Sequence, residues 1–269
     1  MPSEAIGLVG LGLVGRALAA RLAAAGFEVL GYDRAPEAMR SFEGKATAEA
    51  LKAKRIVLAV FDTADVEQVV AQSSARFYVD CTTGDPPRVE ALAASLAARG
   101  AGYVDAPLSG SSEMIGRGTA TMFVGGDAAG CEDLLAAIAP RRHAVGPAGM
   151  AMRAKLATNL VLGLTRTALA EGMAFAESLG IERAKFLELI ADSSLGTPGT
   201  LAKGRRMVSG DFAPESRIRQ HLKDVRRMLE RSPIALPLTA AHEKLLADAV
   251  AAGDGELDNA AIIRSLAKP

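Results

Sequence analysis

Ile6-Gly7-Leu8-Val9-Gly10-Leu11-Gly12-Leu13-Val14-Gly15 opens the chain, and the order of its parts decides the fold. The apolar run Ala5 to Val9 has the length of a buried strand. Gly10, Gly12 and Gly15 follow in the spacing G-x-G-x-x-G, and an alanine-rich helical stretch runs from Val14 to Ala25. Gly26 can close that helix in a left-handed cap. Gly10 permits the tight turn, Gly12 lets a pyrophosphate approach the backbone, and Gly15 lets helix pack close to strand. The amides of the helix N-terminus then face the phosphates, so Gly10, Leu11, Gly12, Leu13, Val14 and Gly15 are candidate cofactor-binding residues. A second strand, Glu28 to Tyr32, ends at Asp33, where an acid binds the ribose hydroxyls of a dinucleotide. Glycine turns are common, and G-x-G-x-x-G alone would be a weak sign. Strand, glycines, helix, strand and acid in this order point to a dinucleotide site.

Asp33 favours NAD over NADP, because a 2′-phosphate there meets a like charge. At 4 Å and an effective dielectric of 20 that repulsion is about 4 kcal/mol. Arg34 works the other way, since an arginine beside the acid can hold a 2′-phosphate.

The composition excludes several classes. Lys+Arg and Asp+Glu are both 31, so no net field draws nucleic acid or an anionic membrane. Trp is absent and aromatics are 4%, too few for base-stacking surfaces. No apolar run approaches membrane-spanning length, and the first strand begins too early to leave room for a signal peptide. Cys81 and Cys131 make no metal-ligand spacing and read as core thiols of a cytoplasmic protein. His143, His221 and His242 are scattered, so no metal is expected.

Apolar strands alternate with helices through the first half: after the opening unit come Arg55–Val60, Phe77–Asp80, Gly102–Asp105, Thr121–Val124 and His143–Val145. Such alternation predicts a mainly parallel sheet covered on both faces. The character changes at Gly146-Pro147-Ala148-Gly149. Gly149 to Leu179 holds no proline, and a helix of about 30 residues would be about 45 Å long, enough to cross from one domain into another. Shorter helices are expected around Arg183–Asp192, Gly199–Val208, Pro214–Arg231, Leu236–Ala252 and Asp258–Leu266. The expected architecture is an α/β Rossmann-type dinucleotide-binding domain, residues 1–147, followed by an all-helical substrate and dimerisation domain, residues 148–269.

Ligands bind beyond the carboxyl ends of strands in such sheets. Four segments gather there: Val60-Phe61-Asp62, Cys81 to Pro86, Asp105 to Ser112, and the start of the long helix with Lys155 and Asn159. The last two residues share one helix face a turn apart. An ammonium and a carboxamide so placed could hold and protonate a substrate oxygen. On spacing alone, a solvated helix face with a surface lysine is the commoner arrangement.

The chain resembles the β-hydroxyacid dehydrogenases, a family that includes 3-hydroxyisobutyrate dehydrogenase and tartronate semialdehyde reductase. The resemblance runs through nearly the whole chain: the N-terminal glycines, D-A-P-L-S-G at Asp105, G-T-A-T-M-F-V-G-G at Gly118, G-M-A-M-R-A-K-L-A-T-N at Gly149, S-G-D-F-A-P at Ser209, H-L-K-D at His221 and P-L-T-A at Pro237. It implies that Lys155 is the general acid/base, that Asn159 binds substrate, and that Ser109 and Gly110 hold a substrate carboxylate. It also implies that Lys223 reaches the nicotinamide end and that Val60, Phe61, Asp65 and Thr83 touch the cofactor. The family usually has glycine at Ser111, asparagine at Thr158, glycine at Ala151, proline at Phe61 and an apolar pair at Gln220-His221. Ser111, Gln220 and His221 are placed to change substrate choice; the alternatives are a tolerated loop residue at 111 and a solvated helix face at 220–221.

The implied function is NAD-dependent (NADP possible) interconversion of a small β-hydroxy acid and its semialdehyde or keto acid, by a homodimer or homotetramer. An unperturbed lysine has a pKa near 10.4, so about one in a thousand is neutral at pH 7.4. Oxidation is therefore expected to accelerate with alkalinity, whereas reduction can use the protonated form. Asp105 and Asp224 are expected to be structural, the latter orienting Lys223. A 6-phosphogluconate-type decarboxylating enzyme has a much longer helical domain, and imine reductases usually lack the lysine. A non-catalytic dinucleotide-binding scaffold tends to lose the lysine and to carry appended modules.

Overall fold

A computed structural model describes residues 4–266. It contains two compact units, which divide between Lys155 and Leu156. The expected boundary at 147/148 lies eight residues earlier, just ahead of the long helix within which the units part.

The first unit is built on strands β1 (Ala5–Val9), β2 (Glu28–Tyr32), β3 (Lys45–Ala46), β4 (Arg55–Leu58), β5 (Phe77–Asp80), β6 (Gly102–Asp105), β7 (Leu108–Ser109), β8 (Thr121–Gly125) and β9 (Arg141–Gly146). Between them lie helices α1 (Leu13–Ala24), α2 (Pro36–Arg40), α3 (Thr63–Ala71), α4 (Pro86–Ala98), α5 (Ser112–Gly116) and α6 (Glu132–Ile138). The sheet order is β3-β2-β1-β4-β5-β6-β8-β7, with β9 on β8. From β3 through β6 all pairings are parallel; β8 runs antiparallel to β6 and β7. The chain winds outward from β1 to β3, returns to β4 and winds the other way, so β1 and β4 flank a topological switch point. Ile6, Leu8, Val57, Val79 and Val104 are buried under α1 and α6, while Ile56, Leu58 and Tyr78 bury the other face. Parallel strands covered on both faces read as continuous apolar runs for this reason. Cys81 and Cys131 are buried free thiols, pushed above their ordinary pKa by burial, Cys131 to about 12.

Helix α7 (Met150–Ser178) begins in the first unit and continues into the second, which adds α8 (Arg183–Ala191), α9 (Pro198–Ser209), α10 (Ile218–Arg231), α11 (Pro237–Ala251) and a 3-10 turn Asn259–Ser265. The expected helix from Pro214 starts only at Ile218. Asp258 accepts from the amides of Glu215 and Ser216 at 3.1 and 3.2 Å and also takes the Lys203 ammonium, keeping 214–217 out of the helix. The final expected helix is 3-10, with Asp258 capping it through the Ala260 amide. Leu169, Met173, Leu222, Val225, Leu246 and Ile262 form the core of this unit.

Candidate active site

The glycine loop joins β1 to α1, and each glycine answers a different steric demand. Gly10 has φ +98, and a Cβ there would lie 2.2 Å from the Ala59 carbonyl oxygen. A Cβ on Gly15 would lie 1.7 Å from the Gly10 oxygen. At Gly12 a Cβ would meet nothing within 4 Å. Gly12 thus leaves the backbone open on the side where a ligand would approach, and it is the N-cap of α1. First-turn amides of a helix have no intrahelical acceptor, so those of Leu13, Val14 and Gly15 suit a pyrophosphate. The Leu11 amide donates at 2.8 Å to Asp33 Oδ2, and Asp33 Oδ1 accepts from the Ala35 amide at 2.9 Å. The acid after β2 is thereby fixed against the glycine loop. The residues present fit a dinucleotide.

Across β1, Val60, Phe61 and Asp62 follow β4. The Val60 amide donates to Thr82 Oγ1 at 3.2 Å, and Asp62 caps α3 through the Asp65 amide. Phe61 is exposed. Thr83 lies in the turn between β5 and α4. Arg34 reaches over to Asp65, Nη1 to Oδ1 2.6 Å. A cavity of about 640 Å³ lies elsewhere in this unit, against Ala93, Ala97, Tyr103 and Gly126. It contains none of the expected site residues and offers mainly apolar surface.

Asp105 ends β6 and is fully buried. Its Oδ1 accepts from the Gly149 amide and its Oδ2 from the Met152 amide, both at 3.0 Å. It therefore caps α7 rather than merely ending a strand. Carboxylate charge at a helix N-terminus is favourable, although burial holds this carboxyl above its ordinary pKa. A Cβ on Gly125 would lie 2.4 Å from Asp105 Oδ1, so glycine makes the room. The spacing of 44 residues between cap and helix gave no local signal for this contact. β7 brings Ser109 to the Gly110 turn, and Ser111 caps α5, its Oγ accepting from the Met114 amide at 3.3 Å. That contact leaves the Ser111 hydroxyl proton for another acceptor.

Lys155 and Asn159 are each only 7% exposed on α7. Burial removes the surface-lysine alternative. In the second unit Asn159 Nδ2 donates to Asp224 Oδ2 at 3.1 Å, and Asp224 Oδ1 pairs with Lys223 Nζ at 3.2 Å. Asp224 thus holds two of the expected site residues.

His221 is buried, which corrects the solvated-face alternative for that position. The histidines expected to be scattered include a touching pair: His221 Nε2 lies 3.0 Å from His242 Nε2, and His242 Nδ1 lies 2.8 Å from Thr167 Oγ1. Thr167 donates its own proton to the Gly163 carbonyl. Its oxygen must therefore accept from His242 Nδ1, and neutral His242 accepts from His221 at Nε2. Gly163 makes room, since a Cβ there would lie 2.4 Å from His221 Nε2. Burial, with the Arg166 charge nearby, pushes His242 down to about 4. Among the described residues no group of three His, Cys, Asp or Glu could hold a metal ion, and no helix is long and apolar enough to cross a membrane.

Comparison with known proteins agrees with this anatomy. Residues 5–146 match the family described as the NAD binding domain of 6-phosphogluconate dehydrogenase, and residues 149–266 match the NAD-binding domain of NADP-dependent 3-hydroxyisobutyrate dehydrogenase. A probable 3-hydroxyisobutyrate dehydrogenase-like protein of Arabidopsis thaliana is 30% identical over 70% of this chain, which spans 58% of that protein's length. An L-threonate dehydrogenase of Cupriavidus necator is 29% identical over 97% of this chain and 96% of its own. The crystal structure of a 3-hydroxyisobutyrate dehydrogenase from Salmonella typhimurium superposes with a TM-score of 0.87 at 24% identity, covering 97% of this chain and 99% of that one, and shows the shared fold. With family matches running from residue 5 to residue 266, the chain belongs to the β-hydroxyacid dehydrogenase family.

Proposed function

We propose that this protein is an NAD-dependent oxidoreductase that interconverts a small β-hydroxy acid and its semialdehyde or keto acid. The observation that carries the reading is the burial of Lys155 and Asn159, one turn apart on a helix whose N-terminus is fixed by Asp105. A buried ammonium is costly unless specific neighbours pair with it or hydrogen-bond it, so this lysine answers to its site and not to solvent. Bound nicotinamide supplies the hydride chemistry. Lys155 Nζ takes the hydroxyl proton during oxidation and returns it to the carbonyl oxygen during reduction, so the oxidation rate rises with pH. Ser109, Gly110 and Ser111 offer hydroxyl and amide donors to the carboxylate, and Asn159 donates to the substrate from the same helix as Lys155. The relative named L-threonate dehydrogenase supports a polar acid of this size.

Asp33, held at the glycine loop, gives NAD preference over NADP. Val161, Leu162 and Phe175 are exposed apolar residues of α7, Leu179 just past its end is exposed as well, and they support a homo-oligomer. Free buried thiols suit a reducing cytoplasm.

The test is a screen of small 3-hydroxy acids and aldehyde acids with NAD(H) and NADP(H), followed by nicotinamide absorbance. Turnover of at least one acid, with higher kcat/KM for NADH than for NADPH, is expected. Tight dinucleotide binding with no turnover of any acid would instead favour a non-catalytic scaffold, and equal or better efficiency with NADPH would remove the NAD preference.

A further inference from the structure

Arg34 and Asp65 belong to segments on opposite sides of β1. Arg34 follows β2 and Asp65 sits in the first turn of α3, after β4. In the sheet order β3-β2-β1-β4, strands β2 and β4 are the two neighbours of β1. Their ion pair, 2.6 Å from Nη1 to Oδ1, therefore reaches across the carboxyl end of β1, above the glycine loop. That is where the adenosine half of a dinucleotide lies in a doubly wound sheet.

The two ends of the pair differ. The Asp65 side chain is 15% exposed, and its amide is anchored to the Asp62 carboxylate at 3.1 Å. The Arg34 side chain is 71% exposed. Asp65 is the fixed post, and Arg34 is the arm drawn to it. Asp33, next in the chain, is fixed separately by the Leu11 and Ala35 amides. The carboxylate that repels a 2′-phosphate stays in place, while the cation that would attract one is neutralised by Asp65.

We propose that Asp65 is a positioning residue for cofactor choice: by holding Arg34 across the end of β1 it withholds that guanidinium from a 2′-phosphate. This rests on the NAD reading above and explains how the arginine beside Asp33 is compatible with it. The clasp is exposed enough to yield. An exposed ion pair shifts a population by up to about fivefold and weakens with salt. Asp65 thus biases the choice of dinucleotide, and Asp33 carries the larger share.

The experiment measures dissociation constants for NADH and NADPH by fluorescence titration at low salt, with wild type, Asp65→Asn, Arg34→Ala and the double variant. The wild-type ratio tests the NAD preference; the change of ratio on substitution tests the role of Asp65. Asp65→Asn should lower Kd(NADPH)/Kd(NADH) by about three- to fivefold, because an arginine freed from its partner can pair with phosphate. In the Arg34→Ala background the same substitution should change the ratio by less than about twofold, the non-additivity expected of residues that act as a pair. Raising the salt should shrink the effect in the single variant. An unchanged ratio in Asp65→Asn would overturn the proposal. So would a fall of equal size in the Arg34→Ala background, which would make Asp65 a charge near the phosphate and not a holder of Arg34.

Discussion

Replacing Asp105 with alanine takes the acceptor away from two buried amides at the start of α7. Gly149 and Met152 each donate to its carboxylate at 3.0 Å. A buried donor left without an acceptor costs about 1–3 kcal/mol, so the pair amounts to about 2–6 kcal/mol. Part of this is offset, because burial already holds the Asp105 carboxyl above its ordinary pKa and removal of the charge recovers that desolvation. The net cost is about 3 kcal/mol. At about 2–4 °C per kcal/mol for a protein of this size class, the melting temperature should fall by about 6–12 °C. Asp105→Asn keeps one acceptor and should melt between alanine and wild type. Thermal unfolding followed by far-ultraviolet circular dichroism reads both. Turnover measured well below the melting point should fall as well, since Lys155 lies one turn beyond Met152. If Asp105→Ala melts within about 2 °C of wild type, the carboxylate does not hold the helix that carries Lys155.

Three further outcomes follow from particular contacts. Gly12→Ala should fold normally, because its Cβ would meet nothing within 4 Å, yet weaken NADH binding by more than about tenfold; a thermal shift assay with NADH titration checks both, and intact binding would remove Gly12 from the cofactor site. His242, held near pH 4 in the fold against 6.5 ordinarily, is favoured in its neutral form by folding. Its contribution is complete above pH 6.5 and is lost as pH falls toward 4, about 3 kcal/mol in all. Urea unfolding between pH 4 and 7 should show wild type losing that much more than His242→Gln, and parallel curves would count against a neutral His242. Ser111→Gly should weaken polar substrates by about 1–3 kcal/mol in kcat/KM, through the loss of a hydroxyl donor. A substrate profile identical to wild type would make Ser111 only the cap of α5.

The first βαβ unit was legible because its signals are local. Strand, three glycines, helix and acid lie within Ala5 to Asp33, and each acts on its near neighbours. The long helix was legible from the absence of proline over one continuous stretch, Gly149 to Leu179. What escaped the sequence was set by contacts between distant positions. The start of α10 at Ile218 depends on Asp258, forty residues on, which takes the amides that would have begun the helix. The two-residue strand β7 has no periodicity to read and exists through its pairing with Thr121 and Met122. Lys155 and Asn159 could be placed on one face by spacing, but their burial needed the packed helices. Asp105 looked like a strand end until the amides of Gly149 and Met152 converged on it. His221 and His242 stand 21 residues apart on different helices, and only the close approach allowed by Gly163 makes them a pair.

In the proposed mechanism Lys155 moves the substrate proton, and Lys155→Ala puts this to the test when turnover and NADH binding are measured on the same preparation. Loss of a general acid/base lowers the rate by about 10²–10⁴-fold. The variant should therefore bind NADH nearly as wild type does and lose turnover to that extent in both directions. Normal NADH binding with more than about a tenth of wild-type turnover, under conditions where the chemical step limits the rate, would contradict the account.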